Sequence, residues 1–307
     1  MTGSTRRAVV AVDVGGTEIK AALLDAHADV LATRRVPTRR GADGAATAEV
    51  VADQVAGLAG ELRELGEAVE VAAVGVVVPG IVDEAAGVAR YSANLGWREV
   101  PLRGLLQERI GLPVAFGHDV AAAGLAEWRL GAARGFRDIA MVPVGTGIAA
   151  ALLLDGRPYR AGGLAGELGH VDIGHGLACP CGASGCLEVT ASAAAVARRY
   201  TERSGTVVTG SAEVVRAARA GDQDAAAVLA EAVDGLGRGL RILVTLLAPE
   251  VIVLGGGLFG AREFVLDPLR GWLAGRLTFQ RQPRLRVAEL GAEAGCLGAG
   301  LLAWDTT

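Results

Sequence analysis

Two stretches of this 307-residue chain follow one plan, and that repetition limits the folds open to it. Val9 to Val12 is an apolar run that ends in Asp13-Val14-Gly15-Gly16-Thr17, after which Ile19 to Leu24 resumes as a second apolar run. Ile139 to Val144 runs likewise into Gly145-Thr146-Gly147 and is followed by Ile148 to Leu154. Each reads as two strands joined by a glycine-rich bend. Duplication of such a unit predicts two related domains facing each other across a cleft, each offering a turn whose backbone N–H groups can approach a phosphate. Thr17 adds a hydroxyl donor, and Asp13 is suited to a hydrated Mg²⁺. The first turn is not a Walker loop, because the Gly-x4-Gly-Lys spacing and the following helix are both missing. Taken alone it also fits a plain hairpin bend.

The rest of the pattern alternates helices with strands. Ala45 to Leu65 has helical spacing, and Val71 to Val78 reads as a buried strand closed by Pro79-Gly80. A helix at Leu102 to Ile110 precedes a short strand at Val114 to Phe116, which stops at Gly117-His118-Asp119 before a helix from Val120 to about Leu130. Val189 to Tyr200, Ser211 to Ala220 and Asp224 to Leu247 read as helices. Val251 to Leu254 is a strand entering Gly255-Gly256-Gly257 and another helix, Arg284 to Val287 is the last strand, and Ala294 to Trp304 is a C-terminal helix. The class is α/β. Sheets of this class place ligand chemistry at the carboxyl ends of strands, so Asp119 is a candidate site residue as well as a helix N-cap. In the loop Ser92 to Trp97, Asn94 offers an amide that either reads hydroxyl groups or caps the turn. The triple glycine permits close packing of a planar base or ribose, a signal that is weak by itself. Cys296 reads as a small buried residue.

The densest chemistry lies between Gly166 and Glu188. Gly166-Glu167-Leu168-Gly169-His170 is followed by Cys179, Cys181 and Cys186, three of the four cysteines in the chain. Thiolates plus an imidazole in a short loop are a tetrahedral zinc set. Cys179-Pro180-Cys181 with Gly182 and Gly185 lets a tight loop turn the sulfurs toward one point. A disulfide is the alternative, disfavoured because Cys179 and Cys181 are close in sequence and any pair leaves an odd thiol. His175 competes with His170 as fourth ligand. Glu167 and Glu188 bracket the loop, and folding it around a metal would fix both as acceptors for a polyol.

Composition excludes several classes. About half the residues are apolar (51%), enough for two cores. No apolar run of membrane-spanning length occurs, and Met1 to Arg7 leads into a strand rather than a signal-peptide core, so a soluble cytoplasmic protein is expected. A net charge of -4 with scattered arginines gives no basic stripe for nucleic acid.

Together, Asp13-x-Gly-Gly-Thr17, Gly117-x-Asp119, Gly145-Thr-Gly147, Gly166-Glu-x-Gly-His170, the cysteine cluster and Gly255-Gly-Gly257 resemble the ROK family (repressors, open reading frames, kinases), in particular its zinc-containing bacterial glucokinases. The resemblance implies an actin-like ATPase, ribonuclease H-like fold. It implies an N-terminal domain over 1–118, with the C-terminal helix (about 292–307) packing back on it, and a larger domain over 119–291 that carries the zinc loop. It further implies ATP-dependent phosphorylation of the 6-hydroxyl of a hexose, glucose first, by a homo-oligomer using ATP, Mg²⁺ and structural Zn²⁺. Carried over by position, Asp119 matches the catalytic base, and Gly80, Asn94, His118, Glu167, His170 and Glu188 match the sugar site. Asp13, Gly15, Gly16, Thr17, Lys20, Gly145, Thr146 and Gly147 match the phosphate loops, while Gly255, Gly256 and Gly257 match the adenosine site. His170, Cys179, Cys181 and Cys186 match the zinc set. One departure stands out: many family glucokinases have Asn before the catalytic Asp, and this chain has His118. That keeps an amino sugar, N-acetylmannosamine or a cyclitol open as acceptor. A sugar-sensing repressor of the same family is disfavoured, since a strand is expected within ten residues of Met1, where a helix-turn-helix would stand.

Overall fold

The computed structural model describes residues 6–41, 46–65 and 69–307. The expected helix start at Ala45 and the first five residues lie outside them. In chain order the elements are β1 (Arg6–Val14), β2 (Glu18–Asp25), β3 (Val30–Pro37), α1 (Ala48–Leu65), β4 (Val69–Val78), β5 (Ile81–Asp83), β6 (Val88–Ser92), β7 (Trp97–Val100), α2 (Leu102–Ile110), β8 (Val114–His118) and α3 (Asp119–Arg129). Then follow β9 (Ile139–Pro143), β10 (Ala151–Leu154), β11 (Arg157–Tyr159), α4 (Glu188–Ala191), α5 (Ala193–Ser204), α6 (Ser211–Arg219), α7 (Gln223–Leu247), β12 (Val251–Gly255), α8 (Asp267–Ala274), β13 (Arg284–Val287) and α9 (Ala294–Trp304). Two compact units result: Met1–Ala126 with Arg160–Ala165 and Ala292–Thr307, and Glu127–Tyr159 with Gly166–Gly291.

The first unit is built on a sheet of order β3-β2-β1-β4-β8. β1, β2 and β3 run antiparallel, whereas β4 and β8 run parallel to β1. Strict alternation along β1 explains why both faces are covered. Ala8, Val10, Val12 and Val14 point into one core with Leu58 and Leu62 of α1 and Leu102 and Leu106 of α2. Val9 and Ala11 point into the other, with Ala299 and Ala303 of α9. That second face is lined with small residues, Ala11, Ala22, Ala73 and Ala115, so α9 sits close. A Cβ at Gly75 would run into the Ala299 carbonyl, and one at Gly298 into the backbone of Ala122. Helical glycines cost about 1 kcal/mol each; here the close seat offsets that cost. Contact of α9 with Ala122 draws the start of α3 into this unit, which extends to Ala126, past the 118/119 boundary expected from sequence.

A second, small antiparallel sheet, β5-β6-β7, stands where the sequence suggested only a loop. Ser92 pairs with Trp97, so Ala93 to Gly96 is the turn between β6 and β7, and the Trp97 indole donates to the Ala46 carbonyl (2.6 Å).

The second unit repeats the first sheet's plan in the order β11-β10-β9-β12-β13, with β9–β10 and β10–β11 antiparallel and β9–β12 and β12–β13 parallel. The strand expected from Ile148 starts only at Ala151, with an isolated Val144–Ile148 bridge closing the turn. α7 supplies the largest apolar stripe, Leu229, Val233, Leu236, Leu240 and Val244, at helical spacing against Val142, Ile252 and Leu254. The helix expected over Val189 to Tyr200 breaks at Ser192, which is extended (φ -66, ψ 156) and caps α5 by accepting from the Ala195 N–H (3.0 Å). Among the described residues no helix is long and apolar enough to cross a membrane.

Candidate active site

In the first unit the turn between β1 and β2 is held from behind. The Gly15 N–H bonds the Glu18 carbonyl (2.9 Å), while the carbonyls of Gly15, Gly16 and Thr17 accept from the Thr38 hydroxyl (2.7 Å), Arg40 (3.0 Å) and the Thr38 N–H (2.9 Å). A Cβ at Gly16 would stand 3.3 Å from that of Asn94, so the missing side chain lets the β6–β7 turn lie against the glycine turn. Asn94 is exposed there. Gly80 (φ +109) allows the end of β4 to pass Tyr91 and Ser92, where any side chain would meet backbone.

Two carboxylates stand at strand ends of the same sheet. Asp13 lies near the end of β1, opposite Lys20 in the ladder, and Asp119 directly follows β8. Burial first, then the negative charge of Asp119, push the Asp13 carboxyl up to about 6; Lys20 opposes the shift and Glu293 adds to it. The Lys20 ammonium donates to the Ala292 carbonyl (2.8 Å), just ahead of α9. The first turn of α9 approaches Asp13 through Gly295, whose Cβ would meet Asp13 Oδ2 at 2.6 Å. Asp119 opens α3, with Oδ1 accepting from the Val120 N–H (2.7 Å) and lying 3.0 Å from His118 Nε2. Asp119 thus stands as the first residue of α3, with its carboxylate turned to the His118 ring.

In the second unit Gly145, Thr146 and Gly147 form the tip between β9 and β10, closed by the Gly145 N–H on the Gly147 carbonyl (3.0 Å). Glu188 Oε2 accepts from the Ile148 N–H (2.9 Å) and stands where a Cβ on Gly147 (2.5 Å) or Gly169 (3.2 Å) would go. Thus Glu188, the tip and the Glu167–His170 segment share one patch. Gly256 (φ +107) packs against the backbone of Val144, and the Val144 N–H bonds the Gly255 carbonyl (2.8 Å), so the triple glycine abuts the same tip.

His170, Cys179, Cys181 and Cys186 converge, with ligand atoms all within 4.8 Å of one another. Cys181 and Cys186 sulfurs are 3.7 Å apart, and His170 Nδ1 is 3.8 Å from Cys179 Sγ. A tetrahedral zinc with arms of about 2.3 Å sets its ligands about 3.8 Å apart. The residues fit that ion. His175 is otherwise engaged: its Nδ1 accepts from the Leu177 N–H (3.0 Å), so its Nε2–H donates to the Cys186 carbonyl (3.0 Å). Its ring is thereby spent on holding the loop. All four cysteines are free thiols. His170 turns Nδ1 to the cluster and Nε2 toward Glu167 Oε2 (4.0 Å).

A family model described as the ROK family matches residues 9–306. The chain belongs to the ROK family. It is 32% identical to a glucokinase of Streptomyces coelicolor over 318 aligned residues, covering 96% of each chain. Among solved structures it is similar to a ROK hexokinase from Thermus thermophilus (38% identity, TM-score 0.83, 97% of this chain and 98% of that one). It is also similar to a ROK family glucokinase from Streptomyces griseus held in complex with glucose and AMPPNP (31% identity, TM-score 0.80, 97% and 99%). The fold is the actin-like ATPase fold expected from the sequence.

Against this ROK frame, two residues near Asp119 escaped sequence reasoning. Glu84, just past β5, is ion-paired with Arg160, a partner 76 positions away. Neither carried a motif. The only usable signal was a carboxylate close behind Pro79-Gly80.

Proposed function

We propose that this ROK protein is an ATP-dependent hexose kinase acting on the 6-hydroxyl, with glucose as its leading substrate. The observation that carries the reading is the pair of carboxylates at strand ends of one sheet, Asp13 opposite Lys20 and just before a glycine turn, and Asp119 directly after β8. Asp119 accepts the proton of the sugar hydroxyl as that oxygen bonds to the γ-phosphorus; the bond from phosphorus to the β,γ-bridging oxygen breaks, and ADP departs with the electron pair. Asp13 would hold Mg²⁺ through water, and that ion neutralises phosphate charge when bound. In this reading Asn94, His118, Glu167, His170 Nε2 and the Glu188 oxygen that Ile148 leaves free bind the sugar. The Gly15–Thr17 and Gly145–Gly147 turns face phosphates, and the triple glycine faces adenosine. His170, Cys179, Cys181 and Cys186 would hold zinc as a closed structural site, which fixes the loop between Glu167 and Glu188 and offers no place for water.

His118 favours a second acceptor class. An amide donates and accepts at once, whereas a neutral imidazole does each from a different nitrogen, and here Nε2 already faces Asp119. An amino sugar or cyclitol would then replace glucose with the same chemistry. A coupled ADP-release screen over hexoses, amino sugars and cyclitols, run on the parent and on His118→Asn, decides between them. Glucose is expected to give the highest kcat/KM in the parent and to be kept in the variant. Another acceptor preferred by orders of magnitude would overturn the choice of sugar, and no ADP release with any acceptor would overturn the kinase reading.

A further inference from the structure

The first unit holds a row of four polar side chains that ends at the proposed base. Arg160 comes from the short Arg160–Ala165 segment that belongs to this unit although its neighbours in sequence belong to the other. Its Nε is ion-paired with Glu84 Oε2. Glu84 Oε1 lies 3.5 Å from the His118 backbone nitrogen, and a Cβ on Gly117 would come within 3.2 Å of it, so this carboxylate rests against the Gly117–His118 backbone. His118 then places Nε2 3.0 Å from Asp119 Oδ1. Both members of the ion pair are largely shielded, with side chains 23% and 19% exposed, and Arg160 Nη1 is buried with no acceptor. A shielded pair with an unmet donor is a poor stabilising device.

We infer that Glu84 and Arg160 are positioning residues for Asp119: Glu84 seats the His118 backbone, and Arg160 holds Glu84 in place and balances its charge, so that the pair adds little net field at Asp119. The inference rests on Asp119 being the base. His118 Nε2 at this distance donates its N–H to Asp119 Oδ1, and if Glu84 lost its counter-charge its uncompensated negative field would stabilise an added proton on the His118–Asp119 pair, competing with uptake of the substrate proton. Burial pushes the Glu84 carboxyl up, with the charge of Arg160, the His118 N–H and the imidazole acting against burial, as a tightly linked row requires. From β1, Asp13 also faces Asp119, with Lys20 and Glu293 beside it; the α9 side offers the apolar Leu302 at Gly117.

The test is the pH profile of kcat/KM for the sugar at one saturating Mg²⁺ concentration, so that any contribution of Asp13 is common to the parent and every variant. Arg160→Gln should move the acid limb to higher pH by about half a unit or more, Glu84→Gln should move it to lower pH, and the double variant should return near the parent. Arg160→Lys should restore the parent limb. Thermal melts identify any variant that fails to fold, in which case the comparison of Arg160→Lys with Arg160→Gln carries the test alone. Limbs that superimpose on the parent, or move in the same direction in both single variants, overturn the inference. Asp119→Asn run alongside separates the two readings: retained turnover there removes the base itself, whereas lost turnover with unmoved limbs removes only the positioning role.

Discussion

The two large sheets share one strand order and differ at the strand ends. In the first, Asp13 precedes the glycine turn and Asp119 follows the outermost parallel strand. In the second, the matching places are Pro143, before Val144 and Gly145, and Ala288, after β13. Neither can ionise. The second unit takes its polar groups from outside the sheet instead, from the long insertion between β11 and α4 that carries Glu167, His170 and the cysteines. One frame has thus been fitted for two tasks. A strand end puts a carboxylate at a place set by a ladder of hydrogen bonds, whereas an inserted loop has no ladder and needs another constraint to fix its side chains.

The largest expected effect tests the strand-end carboxylate. Asp119→Asn keeps the shape and removes the proton acceptor, so turnover should fall by about 10²–10⁴-fold with sugar affinity mostly kept. Single-turnover kinetics and sugar titration measure both. Turnover within a few-fold of the parent would mean that the charged strand ends of the first sheet are not what sets the units apart.

The inserted loop is tested next. Cys179 and Cys186 are buried and Cys181 exposed, so Cys181→Ala removes a sulfur without opening the core. About one zinc per chain should be lost and the melting temperature should fall, since binding energy at such a site is folding energy. Activity should drop with it through Glu167 and Glu188. Elemental analysis that finds no zinc in carefully purified parent protein would remove the metal as the constraint on this loop.

What could be read from sequence follows the same divide between local and distant order. The apolar run of β1 and the stripe on α7 were legible because a strand buried on both faces is apolar at adjacent positions, whereas a helix buried on one face shows a period of 3.6. The cysteine cluster was legible because its members lie within eight positions. The β5-β6-β7 sheet was not, because strands of 3 to 5 residues with Arg90, Tyr91 and Arg98 exposed leave no apolar period. Ser192 hid a helix break because it sits inside Ala191-Ser192-Ala193-Ala194, where every neighbour favours helix and only the capping bond to Ala195 shows the turn. Glu84 and Arg160 meet across 76 positions, and pairing of that kind leaves no trace in local pattern.

The finest distinction lies between the two glycine turns themselves. In the first turn the leading glycine is pinned, for a Cβ on Gly15 would stand 2.8 Å from the Glu18 carbonyl oxygen. In the second turn the leading glycine is free, because a Cβ on Gly145 meets nothing within 4 Å, and it is the last one that is pinned, 2.5 Å from Glu188 Oε2. Gly147→Ala must therefore push Glu188 off the Ile148 N–H and should cost about 1–2 kcal/mol, the loss of one partly buried charge-assisted bond. Gly145→Ala should leave stability within about 0.5 kcal/mol. If the Gly145 tip receives phosphate, the added methyl should raise KM for ATP while the denaturation midpoint stays put, and Gly15→Ala should resemble Gly147→Ala in losing stability. Urea midpoints with ATP kinetics on the three variants read this directly. Equal destabilisation by Gly145→Ala and Gly147→Ala would show that Glu188 does not brace the second turn, and the two tips would then differ only in the carboxylate that precedes the first.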